Sequence, residues 1–215
     1  MSTIVVVKKG NRVAIAADTL STLGDTKCDS KYFDDKDKIV RFGDSYIGIT
    51  GSTAHTNVLT SIIRKYPKRL CFDSAEDIFE TYLRLHPVLK EEFYLRPDEK
   101  EDDPYESSQI DALIANPHGI FGMYSWREVE AYSRFWAIGS GRDYALGAMY
   151  SVYESLSSAA EIARVGVGAG CEFDDGTGLP ITVHETALRG KLVKPSRTGK
   201  GTKGRTSGKR PGDLR

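Results

Sequence analysis

Chemistry in this chain can begin at its second residue. Ser2 follows Met1, and removal of Met1 would leave a hydroxyl and a free α-amine on one residue. The small serine side chain favours that removal, and maturation by simple excision of Met1, without a propeptide, is expected. An α-amine titrates at about 7.7–8.0, which leaves a useful fraction as free base at neutral pH. Such an amine can take the proton of its own hydroxyl, a known variant of nucleophile–base pairing. After Ser2 come the apolar run Ile4-Val5-Val6-Val7, the turn Gly10-Asn11, and a second run, Val13-Ala14-Ile15-Ala16-Ala17. That second run ends on Asp18, an aspartate that reads as buried.

Other chemistries lack their residues. The four histidines, His55, His86, His118 and His184, stand far apart with no metal-ligand spacing, so no metal is expected. Nothing marks a cofactor site. No Gly-x-x-x-x-Gly-Lys-Ser/Thr occurs, so any use of ATP belongs to another chain. The three cysteines, Cys28, Cys71 and Cys171, are scattered and odd in number. They fit reduced thiols in a cytoplasmic protein. No apolar run reaches the about 18 residues of a membrane span, and no basic segment leads an apolar signal region.

The chain has 215 residues and a formal net charge of +0, which hides an asymmetry. Residues 194–215 carry Lys194, Arg197, Lys200, Lys203, Arg205, Lys209, Arg210 and Arg215 against Asp213 alone. This segment is rich in Gly, Ser, Thr and Pro and has few apolar residues. It is expected to be a disordered basic tail, with residues 1–193 forming a single domain. A solvated tail is the plainer reading; an arm on nucleic acid or an acidic partner is the other.

The elements that must hold Ser2 follow from periodicity. Strands are expected at 2–9 and 12–17 across Gly10-Asn11, and at 38–42 and 45–50 across Gly43-Asp44. Ser52 can cap a helix over 53–66 that Pro67 ends. A helix over 74–94 should kink or split at Pro87. An acidic loop fills 96–108. Strands return at 109–115, 119–124, 128–133 and 135–138, helices at 142–156 and 158–169, and a strand at 181–184. That order suits an α+β sandwich with helices outside two sheets.

Several of these segments together resemble the motifs of the proteasome β-type peptidases, among them the HslV peptidases and the proteasome homologues of bacteria. They are Ser2-Thr3-Ile4-Val5-Val6-Val7, Ala16-Ala17-Asp18, Ser21-Thr22-Leu23-Gly24, Thr50-Gly51-Ser52-Thr53-Ala54 and Ala137-Ile138-Gly139-Ser140-Gly141. The resemblance spans residues 2–186. It implies a four-layer αββα sandwich, an N-terminal nucleophile hydrolase fold, and stacked rings of identical chains around enclosed sites. It also implies polypeptide substrates and a separate ATP-dependent unfoldase, since a closed chamber cannot admit folded protein.

Carried over by position, Ser2 is the nucleophile where the family usually has threonine. Asp18 and Lys38 match the family's acid and lysine, with Lys36 a near competitor. Gly51 matches the glycine whose N–H faces the oxyanion, and Ser140 the serine beside the amine. Glu172 aligns best with the remaining carboxylate, with Asp174 and Asp175 as alternatives. Thr22 and Thr53 match positions whose backbone pairs with substrate, and Ile49 would line an apolar substrate pocket. In that arrangement Lys38 would favour the neutral amine and stabilise the developing alkoxide, held by Asp18. Ser140 and the carboxylate would orient the amine. Each residue also has a structural reading: Asp18 as a turn residue, Lys38 as an edge charge, Ser140 as a helix cap. An inactive ring scaffold and a small-molecule amidase stand as alternatives.

Overall fold

The two apolar runs at the start of the chain pair as an antiparallel hairpin, β1 (Thr3–Lys9) and β2 (Arg12–Asp18), turning through Gly10 at a φ of 57°. The computed structural model describes residues 2–34, 37–96 and 105–190. The hairpin is the centre of a four-stranded sheet, flanked by β10 (Phe135–Gly139) on β1 and β11 (Ile181–Ala187) on β2. A second, five-stranded sheet runs in the order β5 (Ile39–Phe42), β6 (Ser45–Thr50), β7 (Asp111–Asn116), β8 (Gly119–Met123), β9 (Val129–Tyr132).

Why β1 and β2 lack polar alternation is clear from what covers them. Successive side chains point to opposite faces of a strand. Ile4, Val6, Val13, Ile15 and Ala17 pack against the second sheet with Leu113, Ala115 and Ile120. Val5, Val7, Ala14 and Ala16 pack against helices α3 (Arg142–Val152) and α4 (Ala159–Phe173), through Met149, Ile162 and Val167. Both faces are therefore apolar. The outer face of the second sheet buries Ile47, Ile49 and Ile114 under α1 (Thr53–Lys65) and α2 (Ala75–Glu92), which contribute Ile62, Ile78, Tyr82 and Leu85. These three interfaces make the four layers of an αββα sandwich, an α+β fold. Each fully buried Val or Ile contributes about 1.5–3 kcal/mol relative to exposure.

Several boundaries differ from the sequence expectation. Pro87 does not split α2, which is one element. Pro87 is exposed, and the Leu83 carbonyl that its missing N–H leaves open sits at an exposed position where water can satisfy it. β7 begins at Asp111 rather than 109, because Gln109 has a φ of 55° outside the strand range. β11 runs on to Ala187 because it pairs with β2 along its whole length. A small hairpin, β3 (Ser21–Leu23) and β4 (Thr26–Cys28), was not expected. Helix α4 runs to Phe173, past the expected end at 169. The expected tail at 194–215 and most of the acidic loop lie outside the described residues.

Candidate active site

Ser2 stands just ahead of β1, 5% exposed, where β1, β2 and β10 converge. Thr3 pairs with Gly139 at the end of β10, so Ser140, the next residue, arrives beside Ser2. The approach is tight: a Cβ on Gly139 would lie 2.1 Å from the Ser2 carbonyl oxygen, and Gly139 has a φ of 98°. Only glycine fits both conditions.

Two networks meet at Ser2. The first holds its hydroxyl. Lys38 Nζ donates to Ser2 Oγ at 3.0 Å and to Asp18 Oδ1 at 2.8 Å. Asp18 is fully buried at the end of β2. Its Oδ1 also accepts from Thr3 N at 3.0 Å, and its Oδ2 from Leu20 N at 3.1 Å and Gly178 N at 3.2 Å. Each oxygen thus has two donors. A buried carboxylate so satisfied is a fixed post, and Lys38 is aimed by it.

The second network holds the Ser2 nitrogen. Ser2 N donates to Ser140 Oγ at 3.3 Å. Ser140 Oγ donates to Asp174 Oδ2 at 2.7 Å, so its proton is engaged and its lone pairs face the nitrogen. Thr177 Oγ1 donates to the same Asp174 oxygen at 2.5 Å. With its proton given, Thr177 accepts from Thr3 Oγ1 at 2.8 Å. Asp174 is therefore tied both to Ser140 and to β1.

Glu172 is not the carboxylate at Ser140. Helix α4 continues for a further turn, so Glu172 sits exposed on it, and the chain turns toward the site only at the C-cap, Asp174. Asp175 is also exposed. Thr177 was missed from sequence. The available signal was Asp174-x-x-Thr177, a spacing at which a turn returns the hydroxyl to the acid; Thr177 N donates to the Asp174 carbonyl at 3.1 Å. Of the two lysines, Lys38 is the one brought to Ser2, while Lys36 lies outside the described residues.

Ser2 opens on a cleft of about 320 Å³. Lys38, Gly51, Thr22, Thr53 and Ile49 line it with Ser2. Gly51 follows β6 at a φ of 105°, and a Cβ there would find nothing closer than His55 Cδ2 at 3.9 Å. The constraint on Gly51 is therefore backbone conformation and not lack of space. Ile49 also lines a separate apolar void of about 40 Å³ beneath α1 and α2, which contains none of these polar groups. Near the site, Cys171 is pushed up to about 11 by burial, with the Asp18 carboxylate adding to the rise and the Lys38 ammonium opposing it. It is a silent thiol at neutral pH. Among the described residues no cluster of three or more His, Cys, Asp or Glu could hold a metal ion, and no helix is long and apolar enough to cross a membrane.

No protein-family profile matches the chain. Among solved structures it is similar to Thiobacillus denitrificans BPH, a bacterial proteasome homologue, at 42% identity over 87% of this chain and 98% of that one, with a TM-score of 0.81. It is equally similar to the complex of that protein with epoxomicin, at 41% identity over 87% of this chain and 100% of that one, with a TM-score of 0.80. The eukaryotic HslV of Trypanosoma brucei shares the fold at 20% identity, over 86% of this chain and 99% of that one, with a TM-score of 0.64.

Proposed function

Because the chain belongs to the proteasome-like N-terminal-nucleophile peptidases, the family of the bacterial proteasome homologue, we propose that it cleaves unfolded polypeptides through an acyl-enzyme on Ser2. The observation that supports this reading is the double grip on Ser2: Lys38 on its hydroxyl and Ser140 on its nitrogen.

Once Met1 is gone, the Ser2 amine takes the proton of Ser2 Oγ, and Oγ attacks the substrate carbonyl carbon. Ser140, its own proton held by Asp174, accepts from the amine and turns the amine lone pair toward Oγ. The Lys38 cation stabilises the developing alkoxide. The Gly51 N–H stabilises the tetrahedral oxyanion, a contribution typically of about 10²–10³ in rate. Collapse breaks the C–N bond, and the ammonium returns its proton to the leaving amine. Water, deprotonated by the same amine, then attacks the ester and releases the acid, and Oγ recovers its proton. The backbone at Thr22 and Thr53 pairs with an extended substrate, and Ile49 lines the apolar side of the cleft. A carboxylate at Ser140, Asp174, supports the peptidase reading over an inactive scaffold, which retention of Met1 would favour.

In this reading residues 1–193 are the catalytic domain. Copies of it assemble through a heterologous interface that closes into rings, which stack to enclose the sites in the cytoplasm. A separate ATP-dependent unfoldase feeds them. The test is the intact mass before and after a peptide epoxyketone, a reagent that needs a hydroxyl and a free α-amine on one residue. Loss of Met1 and one adduct are expected, with no adduct in Ser2→Ala. Retention of Met1, or removal with no adduct, overturns the reading.

A further inference from the structure

Lys38 is aimed at Ser2 from one side by Asp18. The backbone that flanks it is tied on the other side by a carboxylate to which the reaction assigns no role. Asp37, the preceding residue, caps the start of β5: its Oδ1 accepts from Ile39 N at 2.9 Å. The same oxygen accepts from Thr182 Oγ1 at 2.9 Å, and Oδ2 accepts from His184 Nε2 at 2.6 Å. Thr182 and His184 lie on β11, in the opposite sheet, two residues apart and so on one face of the strand. His184 is itself fixed by stacking on Tyr46 of β6, with ring centroids 4.8 Å apart and planes 17° apart. β11 pairs with β2, setting Ile181 opposite Asp18 and Thr182 opposite Ala17. Both ends of Lys38 are therefore referred to one pair of strands: its Nζ through Asp18 on β2, its neighbouring backbone through the bonds of Asp37 to Thr182 and His184 on β11.

We propose that Asp37, clamped by His184 and Thr182, is a positioning residue that sets Lys38 against the Ser2 hydroxyl. The proposal rests on the reading of Ser2 as nucleophile and Lys38 as its cationic partner. A lysine has four side-chain torsions, and one salt bridge at its tip does not fix where its Cα sits. Asp37 does so by joining the residue before Lys38 to the strand beside Asp18. The edge of β5 nearest the site then moves with the first sheet, where Ser2 is held. Misplacement of a catalytic group by about 1 Å can cost about 10²-fold in rate, so this tie bears on turnover more than on substrate binding.

The experiment compares Asp37→Ala, Asp37→Asn, Thr182→Val and Ser2→Ala on a fluorogenic peptide, with thermal melting of each. Asp37→Ala is expected to lower kcat by about 10–10²-fold with KM within about twofold. Asp37→Asn keeps an acceptor oxygen for Ile39 N and Thr182, and its amide can still pair with His184, so it should restore most of kcat. Thr182→Val removes one donor only and should fall between parent and Asp37→Ala. Loss of all hydrolysis in Ser2→Ala alongside an unchanged kcat in Asp37→Ala overturns the positioning role and leaves the nucleophile assignment intact. An Asp37→Asn variant as slow as Asp37→Ala also overturns it, as does a kcat that follows the melting temperature alone across the set. Full hydrolysis in Ser2→Ala removes the premise instead.

Discussion

Replacing Asp174 by asparagine isolates what a charge contributes at the serine that holds the nucleophile's nitrogen. Asp174 Oδ2 accepts the hydroxyl protons of Ser140 at 2.7 Å and Thr177 at 2.5 Å. Asparagine can place its amide oxygen at the same point, so both hydrogen bonds persist as neutral ones. A neutral bond contributes about 1 kcal/mol, and a charge-assisted bond roughly twice that. Two bonds therefore weaken by about 2 kcal/mol in total, and the partial exposure of Asp174 reduces the effect to about 1–2 kcal/mol. At about 1.4 kcal/mol per tenfold, kcat should fall about five- to thirtyfold. KM should hardly move, because Ser140 holds the amine and not the substrate. The rate of epoxyketone adduct formation should fall in parallel, since it draws on the same amine. Glu172→Gln is the control; as an exposed surface substitution it should stay within about twofold. Steady-state hydrolysis and timed intact-mass spectra read both. Equal losses in the two variants, or a parent rate in Asp174→Asn, would refute the assignment of Asp174 to Ser140 and the amine.

Lys38→Ala should lower kcat by about 10²-fold or more, while Lys36→Ala stays within about twofold, and kcat measured on both decides between the two lysines. Gly51→Ala forces a φ of 105° on alanine at about 1–3 kcal/mol, or relaxes and turns the N–H away from the cleft. Melting temperature and kcat should show one loss or the other, and a parent-like kcat would exclude this N–H as the oxyanion donor. The Cys171 thiol, raised from 9.0 to about 11, should resist alkylation at pH 8 in the folded protein and react once denatured, as peptide mass mapping can show. Because the folded value lies above the unfolded one, the stability linked to this thiol is fully present below pH 9.0 and is lost as pH rises through about 11.

The order of strands and helices pointed to the layers, and likeness to a family's motifs pointed to most of the site's inventory. Apolar runs without polar alternation at 4–7 and 13–17 required a sheet covered on both faces, and the helical periods elsewhere supplied the covers. Punctuation by Gly10-Asn11, Ser52 and Pro67 is local chemistry, and it set those boundaries closely. Other boundaries depended on partners far along the chain. β11 reaches Ala187 because β2 is there to pair with it, and Pro87 is tolerated because its turn of α2 faces water. The same division runs through the site. Ser2, Asp18, Lys38, Gly51 and Ser140 are legible through their likeness to a family's motifs, and the structure brings Lys38 and Ser140 to Ser2 and Asp18 to Lys38. The acid was not. Spacing favoured Glu172, and one further turn of α4 moved the approach to Asp174. The Asp37–His184–Thr182 clamp carries no local signature, because its partners lie up to 147 residues away. Local sequence fixes where a chain bends and which face it hides. Which side chains then come within 3 Å of each other is decided by the packing of the two sheets.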